Sequence, residues 1–488
     1  MHSGETLDPT DWTAFRAQAH AMLEDILDYT QHLRQRPVWQ PIPNEVKERF
    51  VEKLPAQGSE LSGLHQRFLT EIMPYSIGNS HPGFMGWVQG GGTPVGMVAD
   101  MLAAGLNANV GGREQIPIAV EKQIETWMRE LFHFPETAHG LFVTGTSLAN
   151  LIAVLIARTK HLGGQVRRNG IDQASQKLTA YTSTGAHGCV SQAMDLAGFG
   201  TTALRQIPVN ERFELDIAQL KAAIKADQAA GYTPFLIVGS AGTVDVGAID
   251  DLAALAELAK RENCWFHIDG AYGALGMFSA QIAPKLAGIE LADSIAFDFH
   301  KWGQVPYDAG YILVRDAADQ LATFAAPANY LKRETRGMAA GSPWPCDFGP
   351  DLSRGFRALK TWFTIANFGA DKLGQIITNT CELAHYLARQ IAQHPQLTLM
   401  APVNLNIVCF RHNGNANFSL EQRNAFNAEL VIALQESGLV APSSTTVNQH
   451  IVIRAAFVNH RTRQFDVDRL IEATLKLGDE LLLTPQFS

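Results

Sequence analysis

The chain has 488 residues, 46% of them apolar and 18% charged, with a net charge of −9. This composition excludes a disordered polymer, and an acidic balance without any basic stripe excludes nucleic acid and anionic membrane surfaces as partners. The length suits about two to four domains, or one large domain with appendages.

Residues 1–75 are expected to form an N-terminal helical arm. Trp12, Phe15, Ala19, Met22, Leu23, Ile26 and Leu27 recur at helical spacing and make one apolar face. Pro37, Pro41 and Pro43 then impose an extended path, and helical patterns resume over 44–53 and 59–73. Such an arm has nothing of its own to bury against. It must lie on the main body or on a partner subunit, and the partner is favoured.

Residues 76–370 read as a large α/β domain. Leu141-Phe142-Val143 leads into Gly145-Thr146-Ser147 and a helix over 148–160. An apolar run at 178–182 precedes a helix near 190–197, and a run at 235–239 precedes a helix over 252–261. A further run, 265–268, ends at Asp269, and runs at 294–297 and 308–314 follow. Short, nearly continuous apolar strands alternating with helices imply a mainly parallel sheet with helices on both faces. After an amphipathic stretch at 352–368, residues 371–488 read as a small α+β domain. It has helices at 371–393, 419–437 and 467–483 and strands at 405–410 and 451–457.

The N-terminus lacks a charged-then-apolar signal pattern, and the most apolar helical stretch, 148–157, is too short to span a bilayer. The five cysteines (Cys189, Cys264, Cys346, Cys381, Cys409) are scattered without CxxC spacing. They fit a reducing compartment, and a soluble cytoplasmic protein is expected.

In parallel sheets, ligands sit at the carboxyl ends of strands. Gly145-Thr146-Ser147 stands at such a junction, where helix amides and hydroxyls make an anion site or, more simply, a helix cap. His187 follows a strand and suits either a planar cofactor or a proton transfer, or is only a loop histidine. Gly242-Thr243 forms a turn after another strand. His267 and Asp269 share a strand face, but no third ligand has metal spacing, so no metal site is expected. Lys301, in Asp298-Phe299-His300-Lys301-Trp302, stands at the same edge as Asp269. A lysine amine for an imine, with an acid to keep a pyridine nitrogen protonated, is the pair that pyridoxal phosphate (PLP) requires.

The order Gly145-Thr146-Ser147, His187, Thr243, Asp269-Gly270-Ala271, His300-Lys301-Trp302 resembles the group II PLP-dependent amino-acid decarboxylases. That family includes the aromatic amino-acid, glutamate and diaminobutyrate decarboxylases. Asn79-Ser80-His81-Pro82-Gly83-Phe84 is similar to its early His-Pro motif, and the likeness runs from about Thr10 to the C-terminus. It implies the fold-type-I PLP-dependent transferase architecture and a homodimer with active sites at the subunit interface. It also implies decarboxylation of an L-amino acid to its amine. By this resemblance Lys301 forms the Schiff base, Asp269 pairs with the pyridine nitrogen and His187 stacks on the ring. Gly145, Thr146, Ser147 and Ser294 hold phosphate, Thr243 and Ala271 touch the ring, and His300 supports the lysine and phosphate. His81, Phe84, Trp87, Asn109 and Arg113 fall where relatives contribute substrate-pocket residues.

Two departures stand out. The family commonly has Asn-Pro-His-Lys where this chain has Asp298-Phe299-His300-Lys301. Residues 336–351, rich in Gly and Pro, are expected to be a surface loop that closes over the site. They contain no tyrosine to reprotonate Cα, which suggests an aldehyde-forming side reaction with His187 as substitute acid. The alternatives are a PLP-dependent C–C lyase, a decarboxylase whose main product is the aldehyde, and, less in keeping with the intact residue set, a non-catalytic binding protein.

Overall fold

The computed structural model describes residues 6–171, 177–325 and 334–487. Twelve strands are present among them: β1 (Phe84–Met85), β2 (His139–Val143), β3 (Leu178–Ser183), β4 (Leu204–Ile207), β5 (Thr233–Ser240), β6 (Trp265–Asp269), β7 (Ser294–Asp298), β8 (Gly310–Val314), β9 (Leu397–Leu399), β10 (Ile407–His412), β11 (Ala441–Val447) and β12 (His450–Ala456). The large sheet has the order β2-β8-β7-β6-β5-β3-β4. β4, β3, β5, β6 and β7 run parallel, and β8 is antiparallel to both β7 and β2.

Every residue of β3, β6, β7 and β8 is buried, as expected of strands covered on both faces. Successive side chains go to opposite cores. Leu141, Val143, Trp265 and Ala296 pack with the helix Thr146–Leu162 on one face. Phe142, Phe266, Ile268 and Phe297 pack with the helices Ile116–Phe132 and Leu252–Arg261 on the other. The predicted strands and helices of this region are present, with ends shifted by up to about two residues, as terminal fraying allows.

The second sheet, β1-β11-β12-β10-β9, is antiparallel except where β1 joins β11 in parallel, Phe84 opposite Ala441. Phe84 thus belongs to the sheet of the C-terminal part, across the expected boundary at 370. The arm helix Trp12–Gln31 is capped by Asp11, whose side chain accepts from the Thr13 and Ala14 amides. None of its residues is buried, and Trp12, Phe15 and Met22 are exposed. The chain beyond it does dock: Leu33 and Val38 are buried, Val38 N–H donates to Gly438 O, and Arg34 pairs with Asp466 at 2.7 Å.

Residues 336–351 match the expected surface loop only in part: 336–338 and 341–343 are exposed, but the stretch from 344 to 349 is held to the body. Trp344 is 1% exposed, lies against Gly112, and donates its indole N–H to Ala340 O. Cys346 N–H donates to Gly111 O, and Phe348 stacks on His139 with ring centroids 3.6 Å apart. Glycine and proline shape this path, but the aromatics between them hold it to the body. Trp344→Ala is expected to cost about 3–5 kcal/mol of stability, the range for a large buried aromatic; denaturant unfolding measures it, and a free lid would show almost no loss.

Candidate active site

The carboxyl ends of β2, β3, β5, β6 and β7 open on one cavity of about 500 Å³. β2 delivers Gly145, Thr146 and Ser147, β3 delivers His187, and the turn after β5 delivers Thr243. β6 ends at Asp269 with Ala271 beyond it, and β7 leads to His300 and Lys301; all these residues line the cavity. The predicted edge is therefore assembled by strand direction alone.

Each side chain is fixed by its surroundings. Asp269, 6% exposed, accepts at Oδ1 from the Ala271 amide (3.1 Å) and at Oδ2 from Asn150 Nδ2 (3.0 Å). His187 caps the helix Gly188–Leu196, Nδ1 accepting from Cys189 N–H, so Nε2 is the nitrogen left for other work. Asp298 is nearly sealed: Oδ1 accepts from Thr146 N–H at 2.8 Å, while Oδ2 lies 2.9 Å from Lys301 Nζ and 3.6 Å from His300 Nε2. His300 Nδ1 accepts from Ala309 N–H and its ring packs on Tyr307. Burial holds the His300 pKa below its ordinary value, against the pull of Asp298, so the ring is neutral with its proton on Nε2. The buried Thr146 Oγ1 has no partner among the described residues.

Other expected residues are elsewhere. Ser294 starts β7, at the far end from the cavity, and is fully buried between Trp265 Nε1 and His267 Nδ1. Holding phosphate is therefore outside its reach. His81 is buried, with Nδ1 accepting from Gly83 N–H, and burial pushes its pKa down to about 4. Phe84 packs with Val38 and Ala441. Asn109 Oδ1 accepts from the Gly111 and Arg354 amides, and the Arg113 guanidinium lies over the Trp344 ring. Of the five expected pocket residues, only Trp87 lines the cavity. Asn150 and Tyr307 escaped the reading of the sequence; Asn150's sole signal is its place one helical turn after Thr146. Tyr330 stands shortly before residues 336–351, outside the described residues.

Residues 43–413 match the model of the pyridoxal-dependent decarboxylase conserved domain. Over 474 residues the chain is 31% identical to the aromatic-L-amino-acid decarboxylase of Bacillus atrophaeus, covering 96% of each chain. It is 27% identical over 433 residues to the L-2,4-diaminobutyrate decarboxylase of Rhizobium meliloti, covering 88% of this chain and 85% of that one. Its fold superposes on that of Oryza sativa TDC with PLP and tryptamine with a TM-score of 0.88 at 23% identity, over 98% of this chain and 100% of that one. The chain belongs to the pyridoxal-dependent decarboxylase family. Its activity is PLP-dependent decarboxylation of an amino acid, on a fold-type-I framework.

The residues present fit PLP. A helix N-terminus and an unpartnered buried hydroxyl suit a phosphate, a buried carboxylate suits the ring nitrogen, and a lysine amine stands by for the aldehyde. Among the described residues no group of three or more His, Cys, Asp or Glu could hold a metal ion. The cradle depends on Gly310, because a Cβ there would lie 2.4 Å from Gly145 Cα. Gly310→Ala is expected to strain the phosphate end by roughly 1–3 kcal/mol and to weaken PLP binding; fluorescence titration with PLP and melting of the apoprotein separate the two effects.

Proposed function

We propose that this enzyme decarboxylates an aromatic L-amino acid to its amine, acting as a cytoplasmic homodimer. The observation that carries the substrate class is the cavity lining. Trp87, Val88, Leu148 and Tyr307 offer aromatic and apolar surface beside Lys301, and among the described residues no arginine lines the cavity to neutralise an acidic side chain. The relative from Bacillus atrophaeus is named for the same substrate class.

In this reading Lys301 takes the cofactor's aldehyde, and Asp269 faces the ring nitrogen. Gly145, Thr146 and Ser147 hold the phosphate at the helix N-terminus, His300 supports the lysine end, and Thr243 and Ala271 bound the ring. His187 packs against the ring, with Nε2 placed to hold a proton. Bound PLP supplies the sink for the electron pair left on the substrate's Cα when CO2 departs. Asp269 strengthens that sink by favouring a protonated ring nitrogen. Lys301 Nζ lies 2.9 Å from Asp298 Oδ2, so a buried carboxylate orients the lysine amine at the cavity wall.

Purified protein incubated with PLP and each standard amino acid plus 2,4-diaminobutyrate, with CO2, amine and aldehyde measured separately, tests the proposal. Aromatic amino acids should give CO2 and amine in equal amounts. Turnover confined to acidic or basic amino acids would refute the substrate class, and aldehyde in place of amine would refute the product. Lys301→Ala should lose the borohydride-sensitive visible absorption and nearly all turnover while still binding PLP. Full turnover by that variant would refute the assignment of Lys301.

The dimer is supported by the arm helix Trp12–Gln31, which leaves Trp12, Phe15 and Met22 uncovered. The cytoplasmic location is supported by five free cysteines. Deleting residues 1–36 should yield aggregates or inactive monomers in size-exclusion chromatography; an active truncated dimer would contradict the arm's role.

A further inference from the structure

Behind Asp269, on the side away from the cavity, runs an unbroken chain of buried polar side chains. Trp265, His267 and Asp269 alternate along one face of β6, Ser294 sits opposite His267 on β7, and Asn150 comes from the helix Thr146–Leu162. Trp265 Nε1 is 2.9 Å from Ser294 Oγ, which is 2.8 Å from His267 Nδ1. His267 Nε2 is 2.8 Å from Asn150 Oδ1, and Asn150 Nδ2 is 3.0 Å from Asp269 Oδ2. Asn150, His267 and Ser294 are each at most 1% exposed.

The direction of this chain is decided at the Asp269 end. The Asn150 amide donates from Nδ2 to Asp269 Oδ2 and to Cys189 Sγ at 3.1 Å, which leaves Oδ1, an acceptor, facing His267 Nε2. The single proton of a neutral imidazole is then on Nε2, so Nδ1 accepts from the Ser294 hydroxyl, whose oxygen in turn accepts from Trp265 Nε1–H. Burial pushes the His267 pKa down to about 3, in keeping with a neutral ring. Every link thus donates toward Asp269, and aligned links polarise one another.

We propose that Trp265, Ser294, His267 and Asn150 are positioning residues that hold Asp269 as an oriented, ionised carboxylate toward the cavity. A donor at Oδ2 favours the charged form and stops the side chain from turning. Without it, one oxygen of a buried carboxylate loses the donor that fixes the plane of the group. This rests on the reading that Asp269 faces the ring nitrogen of PLP, so the test includes an arm for that reading alone.

Four variants are compared with the wild type as holoenzymes: Ser294→Ala, His267→Phe, His267→Gln and Asp269→Asn. Four quantities are read: the PLP dissociation constant, the visible absorption of bound PLP, kcat and KM separately, and the melting temperature of the apoprotein. Outer partners of ligating groups at metal sites typically cost about 10- to 100-fold when removed. His267→Phe is expected to weaken PLP binding and lower kcat on that scale, change the bound absorption, and leave KM within about threefold. His267→Gln, which can donate and accept, should recover much of the loss, and Ser294→Ala should show the same changes more mildly without disturbing packing. Wild-type absorption, PLP affinity and kcat in both His267→Phe and Ser294→Ala would overturn the relay. So would a fall in apoprotein melting temperature alone. If Asp269→Asn behaves as wild type, the placement of the ring nitrogen has failed and the relay with it. If Asp269→Asn is impaired while the others are normal, only the relay has failed.

Discussion

The carboxylate of Asp298 ties the site together. A charge at 2% exposure persists only when its lone pairs are taken up, and here the Thr146 amide and the Lys301 ammonium supply that, with His300 Nε2 nearby. These groups come from the β2–helix junction and from the turn after β7. One side chain therefore links the helix N-terminus at Thr146 to Lys301 across the cavity wall. Asp298 thereby places an acid at a helix N-terminus, where helix amides favour negative charge.

The rest of the site follows from holding that link in a stiff frame. β6 and β7 are wholly buried and paired in register, so Asp269 and the start of the Asp298–Lys301 turn are placed by strands rather than by loops. Thr146 and Asn150 sit on successive turns of one helix, reaching Asp298 and Asp269 respectively. The same helix packs with alternate side chains of the sheet, so the core and the site share one set of contacts. Gly310 belongs to this frame too, since its missing side chain lets β8 begin directly against Gly145.

The residues that the sequence reading grouped together and that the structure brings to one cavity are those that depend on strand direction. Apolar runs ending in Thr144, Asp269 and Asp298 mark carboxyl ends, and a parallel sheet brings such ends to one edge. Ser294 was assigned to the phosphate by the resemblance alone, but it opens β7, and the length of that strand separates it from Lys301. His81, Asn109 and Arg113 lie in turns whose partners are distant in the chain, such as Arg354 and Trp344, and local pattern carries no trace of those pairings. The tethering of residues 336–351 was hidden for the same reason: glycine and proline describe the backbone path, whereas the burial of Trp344 depends on Gly112 leaving room for it.

The amino-acid sequence by itself determined the α/β class, the alternation that sends side chains to two cores, and the meeting of Lys301, Asp269, His187 and Thr146 at one edge. These depend on period, chain direction and residue chemistry, which are local properties. Only the tertiary structure decided that Asn150 and His267 stand behind Asp269, that Asp298 joins Thr146 to Lys301, and that Phe84 belongs to the second sheet. Those are pairings between distant segments, set by which surfaces close-pack once the sheet has formed.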